Sequence, residues 1–360
     1  MTRRPYNLYP GPAILPLEVM EEARDEMLNF AGTGLSILES SHRSPGYTEI
    51  NDSARENLRQ LLEVPESYSI LFLQGGASLQ FGMIPMNFLQ GGKADYIDTG
   101  AWARKAIKEA KLFGEVNIPG SSEDRNFCYI PAEEDLKFSR DAKYVHICSN
   151  ETIGGIRWNR FPKTGGVPLI ADMSSEICSR KIDVSKFDLI YAGAQKNLGP
   201  AGVAIVIISD RLLARCPDGL TTMLDYRTQA SKDSNYNTPP VFSIYIMGLV
   251  IKWLKKLGGV AAIEEINNRK AALLYDLFDA SDFYRGTADR GDRSTMNITF
   301  RLPNEDLEIK FIAEAKQTGF IGLKGHRSVG GCRASIYNAF PEEGVKALID
   351  FMRTFEKKSS

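Results

Sequence analysis

Apolar positions in the first two thirds of the chain fall into short strand-like runs alternating with stretches of helical period. The runs at 69–73, 94–98, 144–148, 167–171, 188–192 and 203–209 are bounded by Gly, Asp or Ser. Several are apolar throughout, as strands covered on both faces are. Between them, residues 16–30 read as a helix opened by Pro16. Residues 47–62 place Ile50, Ala54, Leu58 and Leu61 on one helical face. Strand and helix alternating in this way predict an α/β fold, a mostly parallel sheet with helices on both faces.

The pattern changes at Gly258-Gly259. The nearly all-apolar stretch 244–257 stops there, and a long amphipathic helix follows, marked by Ile263, Ile266, Leu273, Leu274 and Leu277. Beyond it, Met296, Ile298 and Phe300 alternate with Asn297, Thr299 and Arg301, the pattern of a one-sided strand. Residues 305–318 read as a helix, 332–337 as a strand, and 341–355 as a helix with Val345, Leu348, Met352 and Phe355 in one stripe. The expected organisation is a large α/β domain over 16–258 and a smaller α+β domain formed by 1–15 with 259–360.

Composition narrows the function classes. The 44 basic and 45 acidic residues leave a net charge of −1, so no bulk field favours nucleic acid or an anionic membrane. Any anion must be held by a local cluster. No apolar run approaches the ~20 residues of a membrane span. The first ten residues carry a basic pair but no apolar core or cleavage site of a signal peptide. Five cysteines without a Cys-x-x-Cys pair argue against zinc and read as reduced thiols, hence a cytoplasmic protein.

The sharpest candidate chemistry lies at 188–200, where a strand runs into Gly-Ala-Gln, then Lys196, then a Gly-Pro turn. Lys196 reads either as a loop lysine on the surface or as an amine in a low-dielectric pocket. Burial there lowers the amine's pKa and lets it condense with a carbonyl. Asp172 ends the strand at 167–171, 24 positions earlier, and both strand ends are expected on one edge of the sheet. Such aspartates also serve metal and nucleotide sites. Joined to a Schiff-base lysine, however, the carboxylate suits a pyridinium nitrogen. Residues 71–81 form a strand, a Gly75-Gly76 turn and a helix start, which is either a structural turn or a phosphate cradle with Ser78 as a further donor. It is neither Gly-x-Gly-x-x-Gly nor a Walker loop. Trp102, just past another strand end, is either core or a surface for stacking a flat ring. His42-Arg43, His326-Arg327 and Arg333 are either solvated surface or bidentate holders of a dianionic substrate.

Taken in order, these pieces closely resemble the phosphoserine aminotransferases, a family in the class V group of fold-type-I enzymes that depend on pyridoxal 5'-phosphate. The resemblance runs through Tyr9-Pro-Gly-Pro12, Gly32-Thr-Gly34, Ser41-His-Arg-Ser44, Gly75-Gly-Ala-Ser78, Asn150-Glu-Thr-Ile153, Ala194-Gln-Lys196-Asn-Leu-Gly-Pro200, Asn237-Thr-Pro-Pro240 and Gly325-His-Arg-Ser328. It implies Lys196 as the Schiff-base lysine, Asp172 as the pyridinium partner and Trp102 stacked on the ring, with Thr152 on the ring hydroxyl. Ala77, Ser78 and Gln195 would hold the cofactor phosphate, joined by Asn237 and Thr238 from the neighbouring subunit of a homodimer. His42, Arg43, His326 and Arg327 would bind the substrate phosphate, partly across the interface, and Arg333 the α-carboxylate.

The implied reaction passes the amino group of glutamate to 3-phosphohydroxypyruvate, giving phosphoserine and 2-oxoglutarate for serine biosynthesis. The same resemblance admits 4-phosphohydroxythreonine in pyridoxine synthesis. Two departures stand out. Some relatives carry Gly-Arg where this chain has Ala77-Ser78, and Pro10 removes a backbone donor where relatives have a small residue. Competing readings are a cysteine desulfurase using Cys332, an alanine–glyoxylate aminotransferase, a non-catalytic phosphoamino-acid sensor and a doubly wound domain without cofactor.

Overall fold

The six strand-like runs and one further short strand assemble into one seven-stranded sheet in the computed structural model, which describes residues 4–359. Residues 1–3 of the expected small domain lie outside them. The strand order is Tyr68–Leu73, Ala204–Ser209, Leu189–Gly193, Leu169–Asp172, Val145–Cys148, Lys93–Tyr96 and Glu115–Asn117. All neighbours pair in parallel except Ala204–Ser209, which runs antiparallel to both strands beside it. Four of the strands are buried at every position because helices cover both faces. Alternate side chains divide between those faces. Ile70, Phe72, Ile205 and Ile207 pack with helices Pro45–Leu62 and Val241–Lys256. Leu71, Leu73, Val206 and Ile208 pack with helices Gly76–Phe88 and Ala101–Ala110.

A second apolar cluster surrounds the three-stranded sheet Arg285–Gly286, Asn297–Arg301 and Cys332–Ser335, with helices Glu305–Gln317 and Glu342–Ser359. The N-terminal strand Tyr6–Asn7 pairs in parallel with Phe320–Ile321. Helix Gly259–Asp279 serves both clusters. Val260 and Ile263 join the large-sheet core, and Ala271, Leu274 and Phe278 join the second. At the crossing, Lys270 is fully buried, its Nζ donating to the carbonyls of Ile336, Tyr337 and Phe340 at 3.0, 2.8 and 3.0 Å. Burial pushes this ammonium down to about 7.

Three expectations differ from the structure. The helix expected over 16–30 spans only Leu17–Asp25, because its apolar stripe ends with Val19 and Ala23, while Leu28 is 82 % exposed. The strand at 297–301 is not one-sided. Asn297 and Thr299 are buried, accepting from Asn150 Nδ2 at 2.9 Å and donating to the Gly154 carbonyl at 3.0 Å. Its polar face meets the 150–154 segment instead of water. Glu115–Asn117, an edge strand with one apolar residue, has no signal in the sequence pattern. No described helix is long and apolar enough to cross a membrane.

His146 lies inside the large sheet, stacked on Tyr96 and hydrogen-bonded to the Tyr191 hydroxyl at 2.9 Å. Burial holds it neutral, with its pKa lowered to about 3 from 6.5. Between these values the unfolded chain binds a proton that the folded chain does not. Stability present above pH 6.5 is therefore lost as pH falls toward 3, by up to ~1.4 kcal/mol per pH unit. Urea unfolding of the His146→Asn variant at pH 6.5, 5.5 and 4.5 should show a shallower decline than the parent chain.

Candidate active site

Two adjacent parallel strands, Leu169–Asp172 and Leu189–Gly193, deliver Asp172 and Lys196 to the same sheet edge. The turn after the second strand is made of small residues. Gly193 leaves space that Gln195 occupies, since a Cβ there would lie 2.9 Å from Gln195 Nε2. The arm at 10–13 crosses this turn. The Ala13 N–H donates to the Gln195 carbonyl at 2.9 Å, and a Cβ on Gly11 would sit 3.3 Å from Lys196 Cγ.

Lys196 Nζ donates to Thr152 Oγ1 at 2.8 Å and lies 5.5 Å from the centre of the Trp102 ring. Burial lowers its pKa, and the Asp172 carboxylate opposes that shift. Asp172 is 5 % exposed, with Oδ1 accepting from the Ser174 N–H at 2.9 Å. Burial raises its pKa, and the Ser174 contacts and Lys196 pull the other way. A buried carboxylate in this state favours a cationic partner. Arg333 comes from the second sheet, also 5 % exposed, and its guanidinium donates to the Thr152 carbonyl at 3.2 Å. Its Nε is buried without a partner, as is Trp102 Nε1.

The loop at 74–78 opens helix Gly76–Phe88 with its backbone donors free. Gly75 is the N-cap at φ +80 and gives no side-chain cap. Only glycine fits there, because a Cβ would lie 2.6 Å from Leu79 Cδ2. Ala77 is half-buried and Ser78 exposed at this helix start, a geometry suited to a phosphate. Amine, buried carboxylate, indole ring and phosphate cradle together fit a flat, phosphorylated aldehyde with a basic ring nitrogen.

The remaining candidates stand further out. His326 is half-buried, its Nδ1 bonded to Ser328 Oγ at 2.7 Å, and its pKa is lowered by burial and by Arg333, Arg327 and Lys105. Arg327 is exposed. Among the described residues, no hydrogen bond or ion pair joins His42 or Arg43 to Lys196, His326 or Arg333. Both precede helix Pro45–Leu62, with Arg43 exposed. The Thr238 carbonyl accepts from Gln74 Nε2 at 3.5 Å and from Asn237 Nδ2 at 3.2 Å, so this segment lies beside the same chain's 74–78 loop.

Two groups escape the sequence reading. Glu151, 1 % exposed, accepts from the Ala103 and Trp102 N–H groups. Its signal is Gly100, which leaves the next helix without a local cap. Lys105 holds its Nζ 4.0 Å from the Trp102 ring centre, and the i, i+3 spacing is its signal.

The chain matches the Aminotransferase class-V family model over residues 5–348. It is 57 % identical over 360 residues to a phosphoserine aminotransferase of Desulfosudis oleivorans, with 99 % of each chain covered. Among solved structures, phosphoserine aminotransferase from Bacillus circulans subsp. alkalophilus superimposes with a TM-score of 0.97 at 50 % identity, covering 99 % of both chains. PLP-bound phosphoserine aminotransferase from Trichomonas vaginalis gives 0.93 at 41 %, covering 97 % of this chain and 100 % of that one.

Proposed function

The chain belongs to the class-V aminotransferase family, and from that premise we propose that it transfers the amino group of glutamate to 3-phosphohydroxypyruvate, yielding phosphoserine and 2-oxoglutarate. The observation that carries this reading is Lys196, hydrogen-bonded to Thr152 between Asp172 and Trp102 at one sheet edge. Pyridoxal phosphate, when bound, supplies a ring that draws electrons from the substrate's Cα.

The chain's own groups do the rest. Lys196 would hold the cofactor through its amine, and the same amine is placed to take a proton from the substrate's Cα. The Asp172 carboxylate would pair with the ring nitrogen and hold a proton there, an opposite charge beside it offsetting the burial that raises its own pKa. Thr152 faces the ring hydroxyl. The N–H groups at 76–78 take the phosphate, with Gln195 alongside. Arg333 would clamp the α-carboxylate with its buried Nε, which has no partner among the described residues.

His326, Arg327 and Lys105 form a cationic rim for the substrate's distal anion. A carboxylate and a phosphate both answer to such donors, so one rim serves both half-reactions. His42 and Arg43 reach this rim from the second subunit of a homodimer, and Asn237 and Thr238 reach the partner's cofactor phosphate. That no hydrogen bond or ion pair joins His42 or Arg43 to Lys196, His326 or Arg333 among the described residues leaves both free to serve a second subunit. Residues 16–258 serve as the cofactor-binding domain, with 1–15 and 259–360 as the second, working in the cytoplasm in serine biosynthesis.

The purified chain should show a visible band from the lysine-bound cofactor. That band should be lost on adding glutamate and return on adding 3-phosphohydroxypyruvate. Faster cycling with alanine and glyoxylate would transfer the assignment to that pair, and a colourless protein that takes up no cofactor would remove it altogether.

A further inference from the structure

Glu151 has no part in the transfer as derived above, yet it is built into the site from two sides. Its Oε1 accepts the Ala103 N–H at 3.0 Å and its Oε2 the Trp102 N–H at 3.4 Å. These donors open helix Ala101–Ala110, whose N-cap is Gly100 and which has no cap of its own. A serine or aspartate ordinarily fills that position. Here a Cβ on residue 100 would lie 2.7 Å from Glu151 Cδ, so the missing side chain is the space the carboxylate occupies.

A cap from residue 151 differs from a local one in what it ties down. A local cap steadies the helix end alone. This one joins the helix start to the turn that carries Thr152, the acceptor of the Lys196 hydrogen bond. Trp102 and Lys196 are thereby referred to one anchor. The negative charge also suits the positive end of the helix. Burial raises the Glu151 acid to about 7, the two N–H bonds lower it, and Cys148, Asp172 and Lys196 are the titratable groups around it.

We propose that Glu151 is a positioning residue for the amino transfer, fixing the Trp102 indole relative to Lys196 by tying the start of its helix to the Thr152 turn. This rests on the aminotransferase reading. The test is a double-mutant cycle on the cofactor-loaded protein with Glu151→Gln, Trp102→Ala and the pair, scored by single-turnover rates with glutamate and by circular dichroism of the visible band.

Losing one cap of this kind is expected to lower kcat about tenfold. The KM for glutamate should stay unchanged, because Glu151 touches neither substrate carboxylate, and the dichroic band should change. In the Trp102→Ala background the same substitution should cost less than about twofold. Glu151→Asp, which keeps the charge but shortens its reach, is scored in the same way should the glutamine variant fold poorly. Equal fold-losses in both backgrounds, or none in either, overturn the role of Glu151. A parent protein that binds no pyridoxal phosphate overturns the aminotransferase reading instead.

Discussion

Replacing Lys196 with alanine should abolish steady-state turnover, by roughly 10⁴-fold or more, while leaving the fold intact. The size follows from two functions resting on one atom. Lys196 Nζ is the amine that the structure places beside Asp172 and Thr152, and burial lowers its pKa so that the neutral, reactive form is accessible. Removing the group that carries a proton to and from carbon costs ~10²–10⁴ by itself. The loss of cofactor attachment adds to that. No neighbour can substitute. Lys105 Nζ sits 4.0 Å from the Trp102 ring centre, while the hydrogen bond to Thr152 belongs to Lys196, and Lys270 is locked among distant carbonyls. Borohydride reduction of the loaded parent chain followed by peptide mapping should place the adduct on residue 196. An adduct on a different lysine, or an alanine variant that still turns over, would sink the assignment.

Lys270→Met should destabilise the fold by about 1–3 kcal/mol, because buried carbonyl oxygens lose their donor while the cost of burying an ammonium is relieved. The Lys270 ammonium is fully buried, and among the described residues no carboxylate lies at hydrogen-bond distance. The carbonyls of Ile336, Tyr337, Asn338 and Phe340 surround it instead, at 2.8 to 3.5 Å. Methionine fills most of the volume but leaves those oxygens without donors, and each buried, unsatisfied acceptor costs roughly 1–3 kcal/mol.

The damage should reach the active site. The loop that Lys270 gathers includes Asn338, whose N–H donates to Asn197 Oδ1 at 3.1 Å, next to Lys196. The Tyr337 hydroxyl in the same loop donates to the Pro10 carbonyl at 2.9 Å. Urea unfolding should show the midpoint falling, with kcat reduced in the folded variant at permissive temperature. A variant within 1 kcal/mol of the parent chain (about the contribution of a single hydrogen bond) would show that the carbonyls find other donors.

Chain order and local pattern made much of this protein legible before any coordinates. Apolar runs of four and six residues at 70–73 and 203–208, bounded by Ser, Gly or Gln, read as strands covered twice, and the structure buries both. Lys196 and Asp172 were legible for a similar reason. A charged residue placed directly after a buried strand has one position available, the sheet edge, and parallel neighbours deliver two such residues to the same edge.

Short elements were not legible. Tyr6–Asn7 and Glu115–Asn117 owe their existence to a partner strand rather than to their own composition. The polar side of 297–301 looked like a solvent face because the pattern cannot show what packs against it. In fact Asn150 and Gly154 do, through buried hydrogen bonds.

The sequence by itself determined which residues are apolar at which period, and so the sheet, its covering helices and the two residues at its edge. Only the tertiary structure decided the partners of polar groups. Glu151 capping a helix 50 residues upstream, Lys270 among distant carbonyls and Arg333 on Thr152 are contacts between segments far apart in the chain. Hydrophobic burial is non-directional and leaves a periodic trace in the sequence. A hydrogen bond between remote segments is directional and leaves none.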